Sequence, residues 1–283
     1  MKRIITVQDI SCVGKCSLTA ALPIISACGI ETCVLPTAML SAHTAFRHFT
    51  FHDLTDQIQP AAACFRQEQI TFDAIYTGYL GTAKQIDLMN DFFRTFQTED
   101  NLIFVDPVMA DNGRLYTGFD RAYAEKYVSL CGQADVIVPN ITEACFLLDR
   151  PYIGTRYTQA QIEELLVSLS ALGAKHTVLT GVSFCNDELG VMAYDAEKKS
   201  FFSYFTERIP ANFHGTGDVF SSAAVGALVR GKTLPDALKL AADFTVRAIK
   251  ATVNNPVHNW YGVDFETELP FLIGRINEDG NER

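Results

Sequence analysis

No apolar run among the 283 residues approaches the ~20 that a membrane span requires. The N-terminus Met1-Lys2-Arg3 leads into an apolar stretch that Asp9 breaks, so no signal peptide is expected. Basic residues are also few, with 23 Lys and Arg against 33 Asp and Glu and a net charge of −10. Such a surface disfavours nucleic acid or anionic membrane as a main partner, although one pocket can still be locally positive. The eight cysteines lack zinc or redox spacing, Cys12 and Cys16 included, and reduced thiols of a cytoplasmic protein are expected. Neither a G-x-S-x-G elbow nor an H-E-x-x-H pair occurs, and His48 and His52 have no acidic ligand nearby, which leaves them as surface histidines. Repeats, linkers and low-complexity tracts are missing as well, so one domain over residues 1–283 is expected.

What is present is a 48% hydrophobic, 20% charged chain that can bury a large core. Short apolar runs at Arg3–Val7, Thr32–Leu35, Ala74–Thr77, Leu102–Val105, Val136–Val138 and Thr177–Leu179 read as strands. Helical periodicity lies between most of them. Leu18, Ala21, Leu22 and Ile25 share one face, as do Ile86, Met89, Phe93 and Phe96. Ile162, Leu165, Leu166, Leu169 and Leu172 form a third stripe behind a Thr158/Gln161 capping box. Alternation of this kind predicts an α/β fold, with a mainly parallel sheet covered on both faces. Glu188–Tyr194 and Ser200–Phe205 read as an antiparallel hairpin at one edge. Helices at Thr216–Arg230 and Leu234–Ala251 close the fold, and the polar residues Glu278–Arg283 read as frayed.

Ligands of such sheets sit beyond the carboxyl ends of the strands. That rule selects Asp9, Ser11 and Gly14, then Thr37, Ser41, His43 and Thr44, then Gly78 and Tyr79, Asp106, Asn140 with Glu143, and Thr180 with Gly181. The strongest local signal is His214-Gly215-Thr216-Gly217-Asp218, which opens an Ala-rich helix. Glycines there leave the first N–H groups unobstructed, and with the helix dipole they make an anion site. Asp218 at that mouth is either a cap or a general base beside a held phosphoryl group. Asp106 before Pro107 is either a turn residue or a group near a metal-bound phosphate. Asn140 and Glu143 are either caps or hard-oxygen supports for Mg²⁺ through water. The tract Ala110–Tyr116 suits a lid or an ordinary loop. Gly14-Lys15-Cys16 fails as a P-loop, since Cys16 stands at the Ser/Thr position and Asp9 at the first glycine.

Together these pieces resemble the ribokinase-type superfamily of small-molecule kinases, and within it the pyridoxal/pyridoxamine kinases, from Arg3 to about Ala251. The residues that carry the resemblance are Val7-Gln8-Asp9 with Gly14, Leu40-Ser41-Ala42-His43-Thr44, Thr77-Gly78-Tyr79, Val105-Asp106-Pro107-Val108-Met109, Pro139-Asn140-Ile141-Thr142-Glu143 and Gly215-Thr216-Gly217-Asp218. The resemblance implies a ribokinase-like three-layer sandwich that uses ATP and Mg²⁺, with a monovalent cation left open. It implies a small-molecule acceptor, pyridoxal, pyridoxamine or pyridoxine, phosphorylated on its hydroxymethyl group by a homodimer. Asp218 would be the base, with the amides of Gly215, Thr216 and Gly217 stabilising charge. Asp106, Asp111, Tyr116, Asn140, Glu143 and Thr180 would serve the nucleotide, Asp106 and Glu143 also the metal. Asp9, His43, Thr44 and Tyr79 would line the ring pocket.

Two positions depart from the family pattern. Asp9 replaces a common Ser and would favour a cationic acceptor, pyridoxamine over pyridoxal. Ala110 replaces a frequent Gly in the lid. Hydroxymethylpyrimidine kinases share the fold but often carry Cys where this chain has Asp218. Sugar kinases of the superfamily are usually longer, with an added lid of strands. A catalytically silent nucleotide-binding protein of the same fold is the reading from a different class.

Overall fold

The computed structural model describes residues 1–278; of the segment read as frayed, 279–283 lie outside the described residues. In chain order the elements are β1 (Arg3–Ser11), α1 (Ser17–Ala27), β2 (Glu31–Leu40), β3 (Phe51–Asp53), α2 (Thr55–Gln67), β4 (Ala74–Thr77) and α3 (Ala83–Phe96). There follow β5 (Leu102–Val105), β6 (Ala110–Asp111), β7 (Arg114–Leu115), α4 (Arg121–Cys131), β8 (Val136–Ile137), α5 (Ile141–Leu147) and α6 (Gln159–Ser170). The chain closes with β9 (His176–Val182), β10 (Glu188–Asp195), β11 (Ser200–Glu207), α7 (Thr216–Val229), α8 (Leu234–Asn254), a 3₁₀ turn (Phe265–Glu268) and α9 (Leu269–Asn277).

Nine strands form one sheet in the order β11-β10-β9-β8-β5-β4-β1-β2-β3. The six from β2 to β9 in that order are parallel, while β3, β10 and β11 extend the edges by antiparallel pairing. The pleat divides each inner strand between two cores. Ile5, Ile75, Ile103, Val105 and Ile137 pack with α2 to α6, whereas Ile4, Tyr76, Phe104 and Val136 pack with α1, α7, α8 and α9. Both faces are therefore buried, which is why these strands read as unbroken apolar runs.

The expected edge hairpin forms as β10 and β11, with the Asp195 side chain accepting the N–H groups of Glu197 and Lys198 at its turn. The Thr158/Gln161 box also forms, and the stripes on α3 and α6 face the core. His52, on the short and wholly exposed strand β3, is a surface histidine as expected. Several expectations change. Leu22 is exposed on α1, and Ala20 and Ile24 complete its buried face instead. Two helices do not end the chain, because the 3₁₀ turn and α9 follow and bury Phe265 and Leu272. The tract Ala110–Tyr116 is a hairpin, in which Asn112 (φ 50°) and Gly113 (φ 77°) make the two-residue turn with both φ positive that suits the twist of paired strands.

Phe104 is fully buried and meets Tyr76 edge-on, with ring centroids 5.4 Å apart. Phe104→Ala should destabilise the fold by about 3–5 kcal/mol in urea unfolding. Phe201→Ala, at a 43% exposed ring on the edge strand, should cost less than about 1 kcal/mol. Equal losses would place the core elsewhere.

Candidate active site

The carboxyl ends of β1, β4, β5, β8 and β9 and the start of α7 carry the polar residues selected from the sequence. Helix α7 begins at Gly215, whose φ of 81° lies in the left-handed region, and no side chain caps its first N–H groups. A Cβ on Gly215 would lie 2.0 Å from the Lys15 carbonyl oxygen, so only glycine fits between this helix and the turn after β1. The open N–H groups and the dipole of a 14-residue helix meet there, as an anion site requires.

Asp218 sits in the first turn of α7, half-buried. Burial pushes its carboxyl up to about 7; the Ser17 backbone N–H opposes the rise, and the charges of Asp106 and Asp9 add to it. Ser17 is itself a non-glycine residue at φ 46°, a strained conformation held at the start of α1 where its N–H serves Asp218.

Asp106, after β5, is buried and accepts the Ser221 hydroxyl on Oδ2 at 2.7 Å, and burial raises its pKa. Glu143 is buried too. Its Oε2 accepts the Asn140 N–H at 2.8 Å and its Oε1 the Met109 N–H at 3.0 Å, while Asn140 Oδ1 accepts the Glu143 N–H at 3.0 Å. Burial and the charge of Asp106 push Glu143 upward against those N–H groups. The capping box at α5 thus anchors the strand entering the β6–β7 hairpin, and Asn140 Nδ2 reinforces it by donating to the Ala110 carbonyl at 2.8 Å. The hairpin tip rests on α5 through Gly113 N–H to Thr142 Oγ1 at 3.0 Å. Tyr116 follows the hairpin, and burial with the charges of Glu143, Asp111, Asp106 and Asp218 raises its phenol. Asp111 turns both oxygens onto its neighbour Asn112.

Among the described residues, no three His, Cys, Asp or Glu side chains are set to hold a metal ion directly. The donor chemistry nonetheless suits a hard cation. Asp106 keeps one carboxylate oxygen outside its bond to Ser221, whereas the oxygens of Glu143 are engaged by backbone and suit contact through water.

Beside these groups lies a polar cavity of about 680 Å³. Asp111, Asn140 and Thr180 line it, together with Thr142, Tyr157, Arg156 and Arg208. The two arginines make it locally cationic in an acidic chain. The sequence reading missed them because each stands alone, outside any motif. Ser221 was missed as well, although its place three residues after Asp218 puts both on one helix face.

On the other side of Asp218, Asp9 is buried, accepts the Ser11 hydroxyl at 3.1 Å, and is raised by burial against that bond and one from Ser17. The charge of Asp9 helps to raise Tyr79 to about 12, after burial. His43 Nδ1 accepts the Ala45 N–H, which leaves Nε2–H to donate to the Tyr261 carbonyl at 2.9 Å. His214 packs on that ring at 4.3 Å, and its pKa falls to about 4 through burial and the neighbouring His43. Thr44 is exposed.

A family model described as phosphomethylpyrimidine kinase matches residues 14–261. A candidate phosphomethylpyrimidine kinase from Bacteroides thetaiotaomicron, crystallised with pyridoxal, is 40% identical with a TM-score of 0.91 over 96% of this chain and 95% of that one. Pyridoxal kinase from Lactobacillus plantarum is 31% identical, with a TM-score of 0.89 over 97% of both chains. Pyridoxal kinase from Arabidopsis thaliana is 25% identical and aligns with 97% of this chain and 88% of its own length. With a mainly parallel sheet between two helical layers, the chain belongs to the phosphomethylpyrimidine kinase family, among the pyridoxal-kinase-like members of the ribokinase-type superfamily.

Proposed function

We propose that this chain transfers the γ-phosphoryl group of ATP to the hydroxymethyl group of pyridoxal, pyridoxamine or pyridoxine. The observation that carries the reading is Asp218, a carboxyl with pKa about 7 at the uncapped start of α7. The arginine-bearing cavity supports the nucleotide half, and the relative crystallised with pyridoxal supports the acceptor half. Asp218 takes the proton of the acceptor hydroxyl as its oxygen forms a bond to the γ-phosphorus, and the bond to the leaving ADP oxygen breaks. The N–H groups of Gly215, Thr216 and Gly217 face the charge that develops on the transferring group. Asp106, with Glu143 through water, would hold a Mg²⁺ ion brought with ATP, which would supply neutralisation of phosphate charge. Asp111, Tyr116, Asn140 and Thr180 serve the nucleotide side; Asp9, His43, Thr44 and Tyr79 line the ring pocket. The reading includes a cytoplasmic homodimer.

The family model's own description favours a second reading, phosphorylation of a hydroxymethylpyrimidine or its phosphate. ADP release with Mg²⁺ and each of the four acceptors separates the two. The pyridines should turn over, and Asp218→Asn should lower kcat by about 10²–10⁴-fold, the range for a general base. Turnover of hydroxymethylpyrimidine alone would install the second reading, and ATP binding without turnover would make the protein catalytically silent.

The base works only when ionised, so protonation removes it. With a pKa near 7, kcat/KM should be level above that pH and fall about tenfold per unit below it. A rate flat from pH 5 to 8 would exclude Asp218 as the base.

Asp9 places a carboxylate in the ring pocket, where it stabilises an acceptor ammonium or a protonated ring nitrogen. Asp9→Ser should lower the kcat/KM ratio of pyridoxamine to pyridoxal by roughly tenfold, the worth of one charge-assisted hydrogen bond. An unchanged ratio would remove Asp9 from specificity.

A further inference from the structure

The turn 14–17 carries the N–H that reaches Asp218, and Thr19 holds it to α1, its Oγ1 set 2.9 Å from the Gly14 carbonyl oxygen and 2.7 Å from that of Cys16. A further fastening comes from the far end of the chain. Lys15 Nζ donates to Asp264 Oδ1 at 2.7 Å and to Glu266 Oε2 at 2.9 Å, across 249 and 251 residues of sequence. The pair is well covered, with side-chain exposures of 16% for Lys15 and 12% for Asp264. Asp264 is in turn fixed by Asn255 Nδ2 donating to Oδ2 at 2.8 Å and by its own N–H donating to Thr252 Oγ1 at 2.7 Å. A Cβ on Gly262 would lie 2.5 Å from Lys15 Cβ, so the backbone at Gly262 lies directly on the lysine stem. A second tether is the bond from His43 Nε2–H to the Tyr261 carbonyl, and His43 in turn abuts Gly14, where a Cβ would meet its ring at 2.7 Å. The middle of this segment gains little from burial, since Val257 is 84% and Trp260 58% exposed.

We propose that residues 255–266 form a strap that clamps the turn 14–17 against Gly215, and that Lys15 is a positioning residue for phosphoryl transfer. The proposal rests on Asp218 being the base. The turn lies between two surfaces, Gly262 on one side and the backbone of Gly215 on the other, both too close for any side chain. Without the ion pair the turn loses its tie to Asp264 and Glu266 and shifts relative to α7, carrying the Ser17 N–H with it. Displacements near 1 Å at a reacting group can cost about a hundredfold in rate, although Lys15 never touches substrate.

The test compares Lys15→Met, Asp264→Asn, the double variant and Lys15→Arg in steady-state ADP release with pyridoxal, scaled to folded protein by thermal melting. Lys15→Met keeps the stem beneath Gly262. It should lower kcat at least about tenfold and leave the KM for ATP within about twofold, because the arginine cavity lies apart from the strap. The double variant should be no worse than Lys15→Met alone, since that substitution already removes the contact with Asp264 along with the one to Glu266, and Lys15→Arg should restore most of the rate. Wild-type kcat in folded Lys15→Met, or additive losses in the double variant, would overturn the strap while Asp218→Asn remained inactive. Full turnover by Asp218→Asn would instead overturn the base, and the strap's purpose with it. Should Lys15→Met fail to fold, Asp264→Asn and Lys15→Arg carry the same comparison.

Discussion

Four carboxyl groups, Asp9, Asp106, Glu143 and Asp218, lie where the parallel strands end, and burial pushes each of them toward the neutral form. The charge of Asp106 adds to this for Glu143, and those of Asp106 and Asp9 add to it for Asp218. Among the described contacts, no lysine or arginine side chain bonds to any of the four. Backbone N–H groups and hydroxyls do that work. Glu143 takes backbone N–H groups from Asn140 and Met109, Asp218 that of Ser17, Asp106 the Ser221 hydroxyl and Asp9 that of Ser11. These donors are dipoles, so they leave the carboxyls only partly stabilised and Asp218 near neutrality.

That incomplete compensation has a thermodynamic side. The Asp218 carboxyl has an ordinary pKa of 3.8 and is raised to about 7 in the fold. Between those values the folded state keeps a proton that the unfolded chain has released. The group therefore favours folding at low pH, and that contribution fades as pH rises through the interval. A carboxyl that titrates near neutral pH is thus obtained at some loss of stability there, a relation common where a site and its scaffold make opposing demands.

The sheet was legible because burial on both faces writes its strands as continuous apolar runs, and the six inner strands lie where those runs are. The rim was legible for the same reason, since a polar residue directly after such a run has to sit at a strand end. Other parts left weaker traces. Strand β3 is fully exposed, so no pattern of burial marks it. The β6–β7 hairpin has only two residues per strand, although Asn112-Gly113 is a turn signal that was available. Arg156, Arg208, Lys15 and Asp264 act through contacts that only the fold creates. An isolated charge in sequence says nothing about a partner some 250 residues away.

The site also separates its charges in space. On one side of Asp218 lies Asp9, a buried carboxyl bonded by the Ser11 hydroxyl. Arg156 and Arg208 line a polar cavity large enough for a small-molecule ligand. The charge of Asp106 reaches both Glu143 and Asp218 and helps to raise them. A polyphosphate is thus repelled by the carboxylate cluster and drawn to the arginines and the helix start. It can approach Asp106 only if a cation comes with it. In a chain with ten excess negative charges, the two arginines make one cavity locally cationic and able to draw an anionic ligand.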